Sequence, residues 1–127
     1  MPLVRISHIA GKSPDYASAL SASVHGALVE TFGIPEDDLF QIITEHASPG
    51  ALVAPKTFLG IEHSSELVFI QITCAAGRTI EQKRALYAGI AARAARSAGV
   101  RPEDVIINLV ETTRENWSFG NGLAQFA

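Results

Sequence analysis

Ala10-Gly11-Lys12-Ser13 returns as Ala76-Gly77-Arg78-Thr79 about 66 positions further along the chain. A second segment repeats at nearly the same spacing, because Gly33-Ile34-Pro35-Glu36-Asp37 returns as Gly99-Val100-Arg101-Pro102-Glu103-Asp104. In each copy a strand ends, the chain turns on a glycine, and a helix begins beside a basic residue. The offset is too long for a solenoid repeat and fits a duplicated strand–helix–strand (βαβ) unit. We therefore predict two tandem βαβ units.

The first unit is predicted to contain a strand, a helix and a second strand. The run from Leu3 to Ile9 is apolar on both faces, which is typical of a central strand. Ser13-Pro14-Asp15 marks a helix start, with Ser13 as the N-cap. Apolar residues then recur at every fourth position up to Gly33, which fits the left-handed position that ends a helix. The second strand is predicted from Leu39 to Glu45.

The second unit repeats this order. Its first strand is predicted from Leu67 to Cys74, again apolar on both faces. Thr79-Ile80-Glu81-Gln82 is a capping-box signature, with Thr79 as the N-cap. The helix that follows runs to about Ser97, and a strand from Val105 to Val110 completes the unit.

These elements predict one domain over residues 1–127, of the α/β (α+β) class. The two units would cover about residues 1–46 and 67–111. Residues 47–66 have a weak pattern and are predicted as a long surface connection with a small hairpin or a helical turn. Residues 112–127 form a C-terminal tail.

Composition and charge limit the possible functions. The chain of 127 residues is 47% hydrophobic and 18% charged, with a net charge of −3 and no basic cluster, which argues against nucleic-acid binding. No apolar run approaches the roughly 20 residues of a membrane span, and the start of the chain lacks the pattern of a signal peptide. The single cysteine suits a reducing compartment, so we predict a cytoplasmic protein.

No metal or cofactor is predicted. The histidines show no metal-binding spacing with one another or with Cys74, which is predicted to lie in the core. Ordinary polar roles are therefore favoured for the histidines, which are His8, His25, His46 and His63.

Pro2 has two interpretations. Proline is tolerated at the first position of a strand, so Pro2 could simply begin one. If Met1 is removed, however, Pro2 carries a free secondary amine on a rigid ring. An α-amino group titrates near pH 8 in water, at about 7.7–8.0, and burial lowers that pKa, so such an amine could exchange protons near neutral pH. In the repeat register Pro2 corresponds to Val68, which is internal, so each chain would hold one such amine.

Two charged residues could assist this amine. Asp38 closes the acidic turn before the second strand, where its carboxylate could complement a Pro2 cation or hold a substrate hydroxyl, although Asp37 is equally suited on chemistry alone. Arg78 precedes the N-cap of the second helix, where free N–H groups and the helix dipole favour an anion. Its guanidinium suits a carboxylate, although it could also be a solvated loop residue. Lys12 is the equivalent residue of the first unit and the weaker candidate.

The tail contributes three aromatic residues. Trp117, Phe119 and Phe126 could cover the core or a subunit interface. They could equally form the wall of a dry pocket, which a lowered amine pKa requires.

These residues together resemble the tautomerase superfamily and, within it, the group related to malonate semialdehyde decarboxylase. The resemblance covers essentially the whole chain. It includes Met1-Pro2-Leu3, the stretch from Pro35 to Gln41, the stretch from Arg78 to Lys83, and the tail from Leu109 to Gly120. The most specific part is Trp117-Ser118-Phe119-Gly120.

The resemblance implies duplicated βαβ units that form a mixed four-stranded sheet with the helices on one face. It also implies a homotrimer and an enzyme that needs no cofactor. Met1 would be removed and Pro2 would be the catalytic group, with Asp38 as its carboxylate partner and Arg78 as the carboxylate-binding arginine. The apolar wall around the proline would consist of Trp117, Phe119 and Phe126. One departure concerns Ala76: the family decarboxylase has an arginine at this position, two residues before the one matched by Arg78.

The resulting hypothesis is an enzyme that uses Pro2 as an acid/base on a small 2-oxo or 3-oxo carboxylic acid. It would catalyse keto–enol tautomerisation, decarboxylation of malonate semialdehyde, or both. The alternative is a non-catalytic ligand-binding or assembly module, because a duplicated βαβ pattern also suits ferredoxin-like domains and Pro2 could merely begin a strand.

Overall fold

The computed structural model describes residues 1–127 and contains six strands and two α-helices. The strands are β1 (Leu3–Ile9), β2 (Gln41–His46), β3 (Thr57–Phe58), β4 (Ile61–Glu62), β5 (Val68–Ala75) and β6 (Val105–Thr112). The helices are α1 (Tyr16–Phe32) and α2 (Ile80–Ala98), and three short 3₁₀ turns span Pro49–Ala51, Pro102–Asp104 and Arg114–Asn116.

Four strands form the main sheet, in the order β2-β1-β5-β6. β1 is parallel to β2 and β5 is parallel to β6, as two βαβ units require, while β1 and β5 run antiparallel. The sheet is therefore mixed, and the predicted fold class is confirmed. Because Leu3 pairs with Thr73 and Ala75 pairs with Thr112, the start of β1 lies beside the ends of β5 and β6.

Both helices pack on one face of the sheet. Alternate strand residues point toward them and are fully buried, among them Ile6 and Ile70, which meet Leu20 of α1 and Leu86 of α2 in one cluster. Full burial of such a side chain contributes about 1.5–3 kcal/mol, so this layer provides most of the driving force for folding.

The opposite face of the sheet is open. Arg5 and Gln71 pair directly across it and are exposed, while Ile42 and Val110 on the edge strands remain 40% and 42% exposed. The prediction that the first strands of both units are apolar and central is right about their position. Apart from Ile9 and Ala75 at the strand ends, however, only the helix-facing side of each is buried within one chain.

The helix ends follow the predicted signals at three of four places. Gly33 and Gly99 end α1 and α2 with φ of +66° and +67°, a left-handed conformation that glycine adopts without strain. Thr79 and Gln82 form the predicted capping box, with Gln82 N–H donating to Thr79 Oγ1 at 3.2 Å and Thr79 N–H donating to Gln82 Oε1 at 3.0 Å.

The predicted N-cap of α1 is wrong. The helix begins at Tyr16 with Asp15 as its N-cap, and no side chain caps it. The Ser13 hydroxyl instead donates to Asp15 Oδ1 at 2.8 Å, and the Ser13 carbonyl accepts from Tyr16 N–H at 3.1 Å. Ser13 therefore forms a turn before the helix, because its hydroxyl is engaged by a nearby carboxylate.

The long connection contains both elements proposed for it, a 3₁₀ turn at Pro49–Ala51 and the β3–β4 hairpin. It is held at its end by the buried side chain of Asp104, which accepts 2.8 Å and 2.5 Å hydrogen bonds from the Ser64 N–H and hydroxyl. No helix of the protein has the length and apolarity that a membrane span requires.

Candidate active site

One end of the sheet collects most of the chemically active side chains. The register of the strands brings the start of β1, the turn before β2, the loop after β5 and the tail after β6 to this end. These four segments carry the predicted site residues, which are Pro2, Asp38, Arg78, Trp117, Phe119 and Phe126. The fold therefore brings residues from both ends of the chain, such as Pro2 and Phe126, to one end of the sheet.

The start of the chain is bound by Asp38. The Met1 ammonium lies 2.8 Å from Asp38 Oδ2, and the side chains of Met1 and Asp38 are only 11% and 17% exposed. The turn that orients Asp38 is closed by its own N–H, which donates to the Pro35 carbonyl at 3.1 Å. Pro2 follows and is buried, and Val4 N–H begins the ladder with β2 by donating to the Phe40 carbonyl at 3.0 Å.

The geometry distinguishes Asp38 from Asp37. Both side chains line a cavity of about 380 Å³ together with Met1, but Asp38 alone contacts the terminal ammonium. An ammonium–carboxylate contact of this length is a charge-assisted hydrogen bond, the stronger class of such bonds. Asp38 is therefore placed to complement a positive charge at the start of β1.

An aromatic wall, defined as Phe40, Trp117, Phe119 and Phe126, borders this region. Phe119 lies at its centre, with its ring centroid 5.1 Å from that of Phe40, 5.4 Å from that of Trp117 and 5.8 Å from that of Phe126. The rings of Trp117 and Phe119 are stacked with an interplanar angle of 5°, and those of Phe119 and Phe126 meet edge to face at 84°. These are favourable aromatic arrangements and hold the wall as one unit.

The wall separates two adjoining cavities. One is the 380 Å³ cavity beside Met1 and Asp38, which Phe126 also lines. The second, of about 430 Å³, lies on the other side and is bordered by Trp117 and Leu3, with Thr73 and Thr112 as polar groups. Phe40 and Phe119 line both cavities.

Hydrogen bonds fix the tail that carries the wall. Trp117 Nε1 donates to Thr112 Oγ1 at 2.7 Å, and the Thr112 hydroxyl donates to the Cys74 carbonyl at 3.2 Å. Further along, Phe119 N–H donates to Gln125 Oε1 at 2.9 Å, and Gln125 Nε2 donates to the Gly120 carbonyl at 3.0 Å. The tail is thus anchored to the sheet and closed on itself.

Arg78 lies at the same end of the sheet but borders neither of these cavities. Its Nη1 donates to the Ala75 carbonyl at 3.1 Å, and its Cζ lies 4.9 Å from the ring centroid of Phe32. The half-buried guanidinium makes no ion pair with the protein, and the rest of its donors have no protein acceptor. It is therefore a cation available to an anion.

Lys12, the equivalent residue of the first unit, differs in this respect. Its ammonium is paired with the Glu66 carboxylate and lies 5.4 Å from the ring centroid of Tyr16. Lys83 is neutralised in the same way, because its Nζ is 2.9 Å from Glu111 Oε1; this hydrogen bond raises the pKa of Lys83 and lowers the pKa of Glu111. Arg78 is thus the unneutralised cation among these three.

Cys74 is buried near the end of β5, next to Thr73, which pairs with Leu3 at the start of β1. Burial raises the pKa of its thiol, while the positive charges of Arg78 and of the terminal ammonium partly offset that effect. The protein contains no group of three or more His, Cys, Asp or Glu side chains arranged to hold a metal ion.

Sequence reasoning missed two residues of the site. The sequence predicts Phe40 within the second strand, but that strand begins at Gln41, and Phe40 lies in the loop before it and joins the aromatic wall. Thr112 was the first residue of the predicted tail, and its bond to Trp117 depends on β6 continuing to that position. A parallel register between the first two strands brings Phe40 close to Pro2 and could have indicated that Phe40 belongs to the site. No local sequence pattern indicates the role of Thr112.

Comparison with known proteins gives consistent matches over this region. A family model described as "Tautomerase enzyme" matches residues 38–120, and a second model with the same description matches residues 2–58. The probable tautomerase YusQ of Bacillus subtilis (strain 168) is 42% identical to this chain over 125 residues, which covers 98% of each protein.

Solved structures give the same picture. The crystal structure of FG41 malonate semialdehyde decarboxylase inhibited by 3-bromopropiolate is 40% identical, with a TM-score of 0.91 over 98% of this chain and 93% of that chain. A fused 4-OT described as a symmetric trimer is 24% identical, with a TM-score of 0.77 over 95% of this chain and 94% of that chain, and shows a similar fold.

Proposed function

Because this chain belongs to the tautomerase family, we propose that it is an enzyme in which Pro2, after removal of Met1, acts as acid and base on a small 2-oxo or 3-oxo carboxylic acid. The observation that carries the proposal is the 2.8 Å contact between the terminal ammonium and Asp38 beside the aromatic wall. This contact, made by the Met1 ammonium, supports Asp38 as the carboxylate that would complement a Pro2 amine once Met1 is removed.

The proposed chemistry requires an amine whose pKa lies near neutrality. Once Met1 is removed, the Pro2 nitrogen becomes the terminal amine, and it is attached to a ring that is already buried. Burial disfavours the charged form, whereas the Asp38 carboxylate favours it. The two effects oppose each other, and their balance would allow the amine to lose and regain a proton during turnover.

In the tautomerisation reaction, the neutral Pro2 amine would accept the proton of the enol hydroxyl and, as the resulting ammonium, would deliver it to the neighbouring carbon as the carbonyl forms. The reverse transfer regenerates the enol. The aromatic wall would keep the cavity dry, and both cavities beside it are large enough for a small acid.

In the decarboxylation reaction, the bond between the carboxylate carbon and C2 of malonate semialdehyde would break and release carbon dioxide. The electron pair would pass to the aldehyde oxygen, where the Pro2 cation stabilises the developing charge. The Pro2 ammonium would then give a proton to C2, which yields acetaldehyde, and the neutral amine would regain a proton from water. The similarity to a solved malonate semialdehyde decarboxylase supports this second activity. Ala76 removes a cation that the family decarboxylase has, so the substrate carboxylate would depend on Arg78.

We also propose that the protein is a homotrimer. The open face of the main sheet and the connection expose apolar side chains that a monomer would leave in water, including Ile42, Phe58, Ile61 and Val110. Exposed apolar surface of this kind is typical of a face that packs against another subunit. Light scattering on the purified protein tests the trimer.

The proposed function is tested by mass and by two assays. The intact mass should correspond to the chain without Met1, because a retained Met1 blocks the Pro2 amine and rules out the mechanism. Ketonisation of phenylenolpyruvate is then followed by ultraviolet absorbance, and acetaldehyde from malonate semialdehyde by a coupled assay.

The decisive variant is Pro2→Ala, with Pro14→Ala as a matched control in an exposed turn. We expect Pro2→Ala to lower kcat by about 100-fold or more, within the range of about 10²–10⁴ typical of a general acid–base group. Pro14→Ala should keep wild-type kinetics. Wild-type rates in Pro2→Ala would refute the role of Pro2, and a folded protein inactive in both assays would favour a non-catalytic binding module.

A further inference from the structure

We propose that Phe32 is a positioning residue that holds the Arg78 guanidinium where it binds the substrate carboxylate. The inference rests on the proposed function for the identity of that carboxylate. The contact between the Phe32 and Arg78 side chains is an observed distance and does not depend on that function.

The contact joins the end of one helix to the turn before the other. Phe32 is the last residue of α1 and belongs to the core cluster, with 7% of its surface exposed, so packing fixes its ring. Arg78 Cζ lies 4.9 Å from the centroid of this ring. A guanidinium within about 6 Å of a ring centroid is in the range of a cation–π interaction.

Two further features restrict the Arg78 side chain. Its Nη1 donates to the Ala75 carbonyl at 3.1 Å, which fixes one edge of the guanidinium. Gly77 has φ of +126°, a conformation that residues with a Cβ rarely adopt, so the turn that brings Arg78 over the ring depends on this glycine. The ring, the carbonyl and the turn together hold an otherwise flexible side chain in one position.

This arrangement leaves the guanidinium available to a ligand. Arginine has five N–H donors, and one hydrogen bond to the protein is made here. Since neither Phe32 nor Ala75 supplies a negative charge, the full charge of Arg78 remains. A carboxylate would therefore meet a cation that has already lost part of its conformational freedom, which reduces the entropic cost of binding.

The other half of the fold lacks this arrangement. In the repeat register the residue equivalent to Phe32 is Ala98, and Lys12 meets Tyr16, from its own helix, instead. Lys12 is also neutralised by Glu66. Of these two equivalent residues, only Arg78 has both an aromatic ring from the preceding helix and an unpaired charge.

The test compares Phe32→Leu with Phe32→Tyr and with Tyr16→Leu. Leucine keeps an apolar side chain but removes the ring face, and tyrosine restores the ring. Tyr16 is a matched control because it is also 7% exposed and lies beneath the cation of the other unit. Denaturant unfolding of each variant establishes that it is folded, and Phe32→Met is a second substitution should the leucine variant fail to fold.

In the phenylenolpyruvate assay we expect Phe32→Leu to raise KM about three- to tenfold with kcat within twofold of wild type, as the loss of one cation–π contact predicts. Phe32→Tyr should restore the wild-type KM, and Tyr16→Leu should not change it. A purely structural role for Phe32 would lower the stability and leave KM unchanged. A folded Phe32→Leu protein with the wild-type KM overturns the inference.

A measurement independent of activity separates this inference from the proposed function. In ¹⁵N-labelled protein, the Arg78 Nε–Hε signal, assigned with Arg78→Lys, should be shifted by the ring current of Phe32 and should return toward ordinary arginine values in Phe32→Leu. Titration with sodium pyruvate should move this signal at lower concentration in wild type than in Phe32→Leu.

The outcomes distinguish the two proposals. The wild type could be inactive in both assays while its Arg78 signal differs from that of Phe32→Leu and moves on addition of pyruvate. That result would refute the enzyme proposal and support the positioning role. An Arg78 signal that is identical in wild type and Phe32→Leu overturns the positioning role whether or not the enzyme is active.

Discussion

Trp117 Nε1 donates a 2.7 Å hydrogen bond to the hydroxyl of Thr112, the last residue of β6. The same hydroxyl donates to the Cys74 carbonyl on the neighbouring strand, so the indole is connected to two strands of the sheet through one side chain. Because Phe119 stacks on Trp117, the position of the whole aromatic wall depends on this connection.

Thr112→Val tests this relationship. Valine keeps the shape of threonine but leaves the half-buried Trp117 Nε1 without its acceptor, so the free energy of unfolding in urea should fall by about 1 kcal/mol. Trp117 is the single tryptophan of the chain, so its fluorescence spectrum should shift as well. Thr113→Val, at the next residue, makes no such bond to lose and should leave both measurements unchanged.

Asp38→Asn should lower kcat in both assays by about 10- to 100-fold, because the amide keeps the shape of the side chain and removes the charge that complements a Pro2 cation. Asp37→Asn removes the same charge one residue away, without the contact to the terminal amine, and should cost less. Equal losses in the two variants would show that only the general field of the acidic turn matters.

Arg78→Ala should raise KM about tenfold or more, with a smaller effect on kcat, if Arg78 mainly supplies uniform binding of the substrate carboxylate. Lys12→Ala is the matched variant in the other half of the fold and should leave KM unchanged, because the Lys12 charge is already paired with Glu66. A raised KM in both variants would contradict the assignment of a single anion site.

The two helix starts give a stability test. Thr79→Ala removes the hydroxyl that accepts from Gln82 N–H in the capping box and should lower the free energy of unfolding by about 1 kcal/mol. Ser13→Ala, at the position that the sequence predicts as an N-cap, should change it by no more than a few tenths, because the Ser13 hydroxyl bonds an exposed carboxylate instead. Urea unfolding of both variants measures the difference, and equal losses would contradict it.

Thr79 and Ser13 also show what the sequence could predict. The capping box was predictable because it is reciprocal: Thr79 and Gln82 satisfy each other's backbone groups within one turn. Ser13 had an equally good local signal, but Asp15, two residues away, offered its hydroxyl a carboxylate. A single-residue signal is overridden by a nearby partner more readily than a reciprocal one.

The same distinction applies to the site. Asp38 and the tail aromatics could be named from the sequence as site candidates, but their meeting at one end of the sheet depends on the strand order β2-β1-β5-β6, which the repeat does not predict. The contact between Arg78 and Phe32 could not be predicted either, because it joins helix termini that are 46 residues apart in sequence (78 − 32) and depends on a side-chain conformation. Contacts of this kind are set by tertiary packing and have no local sequence pattern.

Cys74 provides a prediction about pH. Burial raises the pKa of its thiol, so the folded protein holds this proton more tightly than the unfolded chain does. The stabilisation is complete below the thiol pKa of the unfolded chain, about 8.5, and is lost as the pH rises through the folded value. The free energy of unfolding should therefore fall as the pH rises above about 8.5, by at most about 1.4 kcal/mol per pH unit for a single thiol.

Urea unfolding at several pH values measures how steeply the free energy of unfolding falls with pH. Cys74→Ala should reduce this slope, whatever the substitution does to stability at neutral pH. Tyr16, whose pKa is also raised, first by burial and then by Glu66 and Asp104, contributes in the same direction at higher pH and is present in both proteins. A slope that is identical in wild type and Cys74→Ala would show that the thiol does not titrate with unfolding. The thiol should also react slowly with a disulfide reagent at pH 8 in the folded protein, because it is both buried and protonated.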